Sequence, residues 1–171
     1  MNTSCMDTGS IDMLHFHVAD TRFCVNLSQT SRVLPLVALQ AIPDAPDYIA
    51  GLLNLHGTSV PVVDLIYRLN LPHKRPYKLS ACIVLCQVDG KTVGLIADNV
   101  DQVGTVEPDM IQLQNLFNGT NPPLLGLVES MQGMATWLSL EPVLGFDFAI
   151  PDDHMASDYH DILSLFSDKT A

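Results

Sequence analysis

The chain has 171 residues, 47% of them hydrophobic and 16% charged, a composition that supports a packed core and excludes a disordered chain. Its formal net charge of −11 repels phosphates and anionic lipids, which excludes nucleic acid and direct membrane contact as binding modes. No apolar run is long enough to span a bilayer, and residues 1–12 lack the basic-then-apolar order of a secretory signal, so a cytoplasmic protein with reduced cysteines is expected.

Residues 1–12 read as a flexible N-terminus. Met13 to Leu27 predicts a β-hairpin: Leu14, Phe16 and Val18 alternate with His15, His17 and Ala19, and Phe23, Val25 and Leu27 alternate with Cys24 and Asn26. The turn is expected at Asp20-Thr21. Thr30 to Leu39 is apolar but broken by Pro35, and Ile42 to Pro46 is a stiff, extended connection, because each proline fixes its own φ and restricts the residue before it.

Leu52–Leu55 and Ser59–Val63 predict two short strands turning at Gly57, and Asp64 can cap a short helix through Leu69. Leu79 to Val88 is apolar on both faces and predicts a buried strand, with Cys82 and Cys86 on one side of it. Asp89-Gly90 signals a tight hairpin into Thr92–Ala97, and Asp98 to Ile111 continues extended. Leu116 to Pro123 reads as a loop. Leu124–Val128 and Met134–Leu138 predict a last strand pair joined at Gln132-Gly133, followed by a helical turn over Leu138–Leu144. Many short strands with frequent turn signals indicate a mainly β barrel or sandwich, and no strand–helix rhythm announces a parallel sheet.

Residues 148–171 differ in composition. Five aspartates (152, 153, 158, 161 and 168) face one lysine, Lys169. Ser157 can cap a helix that places Tyr159, Ile162, Leu163 and Phe166 on one stripe. Such a stripe buries against its own domain or against a partner.

Chemistry-bearing motifs are sparse. There is no nucleophile elbow, no glycine-rich phosphate loop and no His-Glu-x-x-His, and no cofactor is expected; active-site groups can still converge from distant positions, so the motifs alone do not exclude an enzyme. His15 and His17 share one face of the first strand, opposite Leu14 and Phe16, and are expected on the exposed polar side of the hairpin. A zinc site would need a third ligand that the sequence does not offer, so no metal is expected.

The stretch from Pro43 to Leu65 is the most specific. It contains Pro43-x-x-Pro46, Tyr48-Ile49-x-Gly51, Asn54-Leu55-His56-Gly57 and Val60-Pro61-Val62-x-Asp64-Leu65, followed by Arg68-Leu69. This order resembles the signature of the CheW family, the adaptors that join chemoreceptors to a histidine kinase. Weaker similarity extends through Val93–Val100, Leu125–Val128 and Leu138–Leu144, so residues 13–147 are taken as the CheW-like unit and 148–171 as an acidic tail.

The resemblance implies a mainly β fold of two intertwined, small five-stranded β-barrels with short helices and a shared apolar interface. It implies a non-enzymatic scaffold whose partners are the regulatory domain of a CheA-like histidine kinase and the helical tip of a chemoreceptor, in arrays at the membrane. The positions it suggests for partner contact are Arg32, Val33, Gly51, Asn54, His56, Gly57, Gly94, Asp98 and Val100. Each has a structural alternative: the glycines shape backbone, Val33 can be core, Asn54 can satisfy a turn, and Asp98 can end a strand.

Two positions depart from the family pattern. His56 stands where the family has arginine, and Arg32 stands where it has an acid, so the family's charge pair cannot form here in its usual sense. These changes suit either an adaptor for non-standard partners or neutral surface variation. A regulator or decoy of the same fold, occupying one partner only, is the alternative function.

Overall fold

The structure, a computed structural model, describes residues 9–72, 76–112 and 124–145. Eleven strands among these form two antiparallel-rich sheets, accompanied by two short α-helices and two single 3-10 turns. The strands are β1 (Ile11–Val18), β2 (Thr21–Asn26), β3 (Thr30–Pro35), β4 (Ile49–Leu55), β5 (Thr58–Asp64), β6 (Cys82–Val88), β7 (Lys91–Ala97), β8 (Asn99–Val106), β9 (Ile111–Gln112), β10 (Leu124–Ser130) and β11 (Gly133–Leu138). The helices are α1 (Leu65–Arg68) and α2 (Leu140–Gly145). The expected loop at 116–123 and the tail at 148–171 lie outside the described residues.

One sheet has the order β8-β1-β2-β11-β10-β9 and the other β3-β6-β7-β5-β4. The first is therefore built from both ends of the chain and the second from its middle, which is the expected intertwining. The strand numbers differ from the expected five and five, because the two-residue β9 adds an edge to the first sheet. Neither sheet closes into a barrel. The second comes near: past β3 the chain bends round, and Gln40 and Leu52 exchange both backbone bonds, at 2.9 and 2.8 Å.

Two pairings are parallel, Thr136-Trp137 against Phe23-Cys24 and Val62 to Asp64 against Gly94 to Ile96. They join segments far apart in sequence, where local pattern carries no information.

The buried residues divide into three clusters. Met13, Cys24, Val106, Val128 and Ala135 pack together within the first sheet. Leu53, Val60, Val62, Ile83, Leu85 and Ile96 do so within the second. Between them lies the largest cluster, with Leu14, Phe16, Phe23 and Val25 from one sheet meeting Leu65, Val84, Cys86 and Leu95 from the other, and Leu138, Leu140 and Val143 closing its end. Each fully buried Leu, Val or Phe contributes about 1.5–3 kcal/mol of transfer free energy, so this shared layer welds the halves together.

That layering explains a departure from the sequence expectation. β1 is flanked by β8 and β2 and is covered on both faces, so Met13, Leu14, His15 and Phe16 are all buried. His15, expected on a polar outer face, is 1% exposed. Its strand alternates between two apolar environments and not between core and water.

Turns shift by one residue in two hairpins, to Ala19-Asp20 and Met131-Gln132. β6 starts at Cys82, because Leu79 is fully exposed ahead of it. At Asp89-Gly90 both φ values are positive, 50° and 75°, the two-residue turn whose twist matches the flanking strands. Asp64 caps α1 as expected, accepting the Ile66 amide at 2.9 Å.

Candidate functional site

The nine positions suggested for partner contact separate by burial. Gly51 and Gly94 are buried. Gly51 sits at a bulge in β4 with φ +147°, and a Cβ there would stand 2.6 Å from the Gln40 carbonyl oxygen. It permits the near-closure of the second sheet at the Gln40–Leu52 bridge. Gly94 lies between Val62 and Leu85, where a Cβ would meet the Ile83 side chain at 2.7 Å.

Asp98 serves the backbone. Its Oδ2 accepts the Ala19 amide at 2.7 Å and its amide donates to the His17 carbonyl at 2.8 Å, locking the first hairpin turn to the start of β8. Val100 is half-buried against the shared cluster. Asn54 spends its Oδ1 on the Gly57 amide at 2.9 Å. His56 and Gly57 both take positive φ, 52° and 87°, in the tight turn between β4 and β5.

Arg32, Val33 and His56 are left with exposed side chains. Arg32 and Val33 lie on β3, an edge strand of the second sheet, and Val33 is 41% exposed. An edge with an exposed apolar side chain is a site to which another chain can add.

Two further groupings were not foreseen. Arg22 reaches across the first sheet: Nη1 donates to Ser130 Oγ at 3.1 Å and Nη2 to Gln132 Oε1 at 2.8 Å. Its Nε lies 3.2 Å from Asp101 Oδ2, an ion pair without hydrogen-bond alignment. Asp101 also meets His17 Nδ1 at 3.1 Å. The register that pairs His17 with both Arg22 and Asn99 brings this set together, and no spacing in the sequence announces it.

The second is a cleft of about 460 Å³ beside β4, lined by Leu36, Val37, Leu39, Ile49, Tyr67 and Tyr77 among others. The buried Asp64 lies at its base and accepts the Tyr77 hydroxyl. Burial and then that bond to Asp64 hold the Tyr77 hydroxyl above its ordinary pKa.

Among the described residues, these groups assemble no reaction centre. The thiols of Cys24 and Cys86 are pushed up to about 12 by burial, far from a nucleophile's range. Among the described residues, no three His, Cys, Asp or Glu side chains converge as metal ligands. Among them too, no helix is long and apolar enough to cross a membrane.

Residues 12–146 match the family model of the CheW-like domain. The chain belongs to the CheW-like family. A probable chemotaxis protein CheW from Rhizobium etli is 32% identical over 107 residues, covering 63% of this chain and 68% of that protein. The chemotaxis protein CheW of Bacillus subtilis is 30% identical over 100 residues, 58% of this chain and 64% of that one. The crystal structure of the scaffolding protein TtCheW from Thermoanaerobacter tengcongensis superposes with a TM-score of 0.74 at 22% identity, covering 86% of this chain and 98% of that one. Within this CheW-like chain, the two departures from the family motif, Arg32 and His56, both fall on exposed side chains that internal packing does not dictate.

Proposed function

We propose that this CheW-like chain is a non-enzymatic scaffold that couples a chemoreceptor-type sensor to a CheA-type histidine kinase. The observation that carries the reading is the match of the CheW-like domain over 135 residues, 12–146. The two partners are the kinase's regulatory domain and the receptor's helical tip, and the scaffold works in the cytoplasm at receptor arrays. Residues 13–147 act as the scaffold unit, with contact made at Arg32, Val33 and His56. The buried Gly51 and Gly94 and the half-buried Asp98 and Val100 shape the surface from within.

A pull-down with the full chain as bait tests the reading. Recovery of a kinase with a CheA-like regulatory domain together with a chemoreceptor is the expected result. Recovery of one without the other would replace coupling by the regulator or decoy reading.

The exposed Arg32 and His56 suit either an adaptor for non-standard partners or neutral surface variation. The double substitution R32E/H56R restores the family's charge order. It should strengthen binding to a family-typical receptor tip by about tenfold, about 1.4 kcal/mol. Equal affinity of the two proteins would assign the departures to neutral change.

A further inference from the structure

The cleft beside β4 leaves apolar surface open. Val37, Tyr67 and Tyr77 line it and are 50%, 40% and 42% exposed. Its walls come from the linker after β3, from β4 and from α1.

The end of the fold lies against one of these walls. Arg68, the residue after Tyr67, donates from Nε to the Val143 carbonyl at 3.1 Å and from Nη2 to the Pro142 carbonyl at 3.0 Å. The last turn of α2 is thereby tied to α1, and the chain leaves Gly145 next to the helix that presents Tyr67 to the cleft. Twenty-six residues follow, 146–171.

Those residues carry one apolar stripe, Tyr159, Ile162, Leu163 and Phe166, whose spacing fits one side of a helix. Ser157 follows Gly145 by twelve residues, enough for a reach of about 40 Å when extended. Tethering at the cleft wall keeps the stripe at high local concentration there.

The charges are compatible with docking. Asp158 and Asp161 fall off the stripe and can stay in water. Of the two acids in the cleft, Asp64 already accepts the Tyr77 hydroxyl and the Ile66 amide, and Asp47 is exposed to solvent. Lys78, exposed and next to Tyr77, offers a counter-charge.

We propose that the chain's own segment 157–166 docks its apolar stripe into the cleft lined by Val37, Tyr67 and Tyr77. The cleft is then an intramolecular docking site for the tail in the free protein. This goes beyond the scaffold reading and does not depend on it.

Hydrogen exchange on the full chain, followed by mass spectrometry at two protein concentrations, tests the proposal. Amides of 157–167 should exchange at least about tenfold more slowly than an open chain. Leu163→Asp in the tail should remove that protection and speed exchange at 36–40 and 66–69. Val37→Asp, at an exposed site, should release the tail reciprocally. Open-chain exchange of the tail in the unsubstituted protein would overturn the proposal, as would tail protection indifferent to Val37→Asp. Protection that rises with concentration would also overturn it, by showing that a second copy fills the cleft.

Discussion

Replacing Gly51 by alanine separates a shaping role from a contacting one. At φ +147° an L residue is strained by about 1–3 kcal/mol. The new Cβ would also stand 2.6 Å from the Gln40 carbonyl oxygen and 3.2 Å from its carbon, which are backbone atoms that no rotamer change can move. The linker must shift, and the Gln40–Leu52 bridge, with bonds of 2.9 and 2.8 Å, opens with it. Two net hydrogen bonds at about 1 kcal/mol each bring the expected loss to roughly 3–5 kcal/mol. With a urea slope of about 2 kcal/mol per molar, the unfolding midpoint should fall by about 1.5–2.5 M. Gly57→Ala is the control: its φ is +87°, yet nothing lies within 4 Å of the added Cβ. It should lose only the backbone term, about 1–2 kcal/mol. Equal midpoints for the two variants would refute the claim that crowding at Gln40 makes Gly51 necessary.

Tyr77→Phe removes the hydroxyl that bonds the buried Asp64 carboxylate, and urea unfolding should register a loss of about 1–3 kcal/mol; no change would mean that water replaces the phenol at no cost. Cys24, Cys82 and Cys86 should resist iodoacetamide in the native state and react once urea unfolds the chain, as read by peptide mass spectrometry, because burial raises all three thiols; native labelling at any of them would contradict the described core. His15 is held below its ordinary pKa by burial and then by Arg22, against an opposing pull from Asp101. With Cys24 and Gln102 as its strand partners and His17 on the same face, it is stable in the fold as the neutral form. The unfolded chain takes up the proton first as pH falls, so this contribution is complete above about pH 6.5 and is lost below it, at up to about 1.4 kcal/mol per pH unit. The stability difference between the parent and His15→Leu should change over pH 7.5 to 5.5, whereas parallel curves would rule out His15 as the titrating group.

Local chemistry was legible where it is self-contained. Asp89-Gly90 turns where a two-residue hairpin signal predicts it, and Asp64 caps the helix that its position announces. The family signature between Pro43 and Leu65 reached the fold through resemblance, because no periodicity in it reveals parallel pairing of β5 with β7 or of β2 with β11. His15 was misplaced for a physical reason: period-two alternation reports that a strand has two environments, but not that both are buried. The Arg22–Asp101 set was invisible because its members come from strands that only the register of the first sheet makes neighbours. The candidate contact positions were read as one group, and burial divides them into residues that shape a surface and residues that present it.

That division bears on how a scaffold can couple two proteins without chemistry. Coupling requires that the two docking surfaces hold a fixed relation, since a loose joint dissipates any displacement imposed at one end. Among the described residues, the shared cluster contains seventeen buried side chains against six and five in the two sheet interiors. The strongest apolar burial therefore lies between the halves and not within them. Sliding one sheet over the other would part Phe16 and Phe23 of the first sheet from Cys86 and Leu95 of the second, which share one close-packed cluster. Exposed positions such as Arg32 on β3 and His56 in the β4–β5 turn can then vary in charge while the frame that relates them stays fixed. In a fold built this way, partner choice can drift at the surface without loss of the rigid joint.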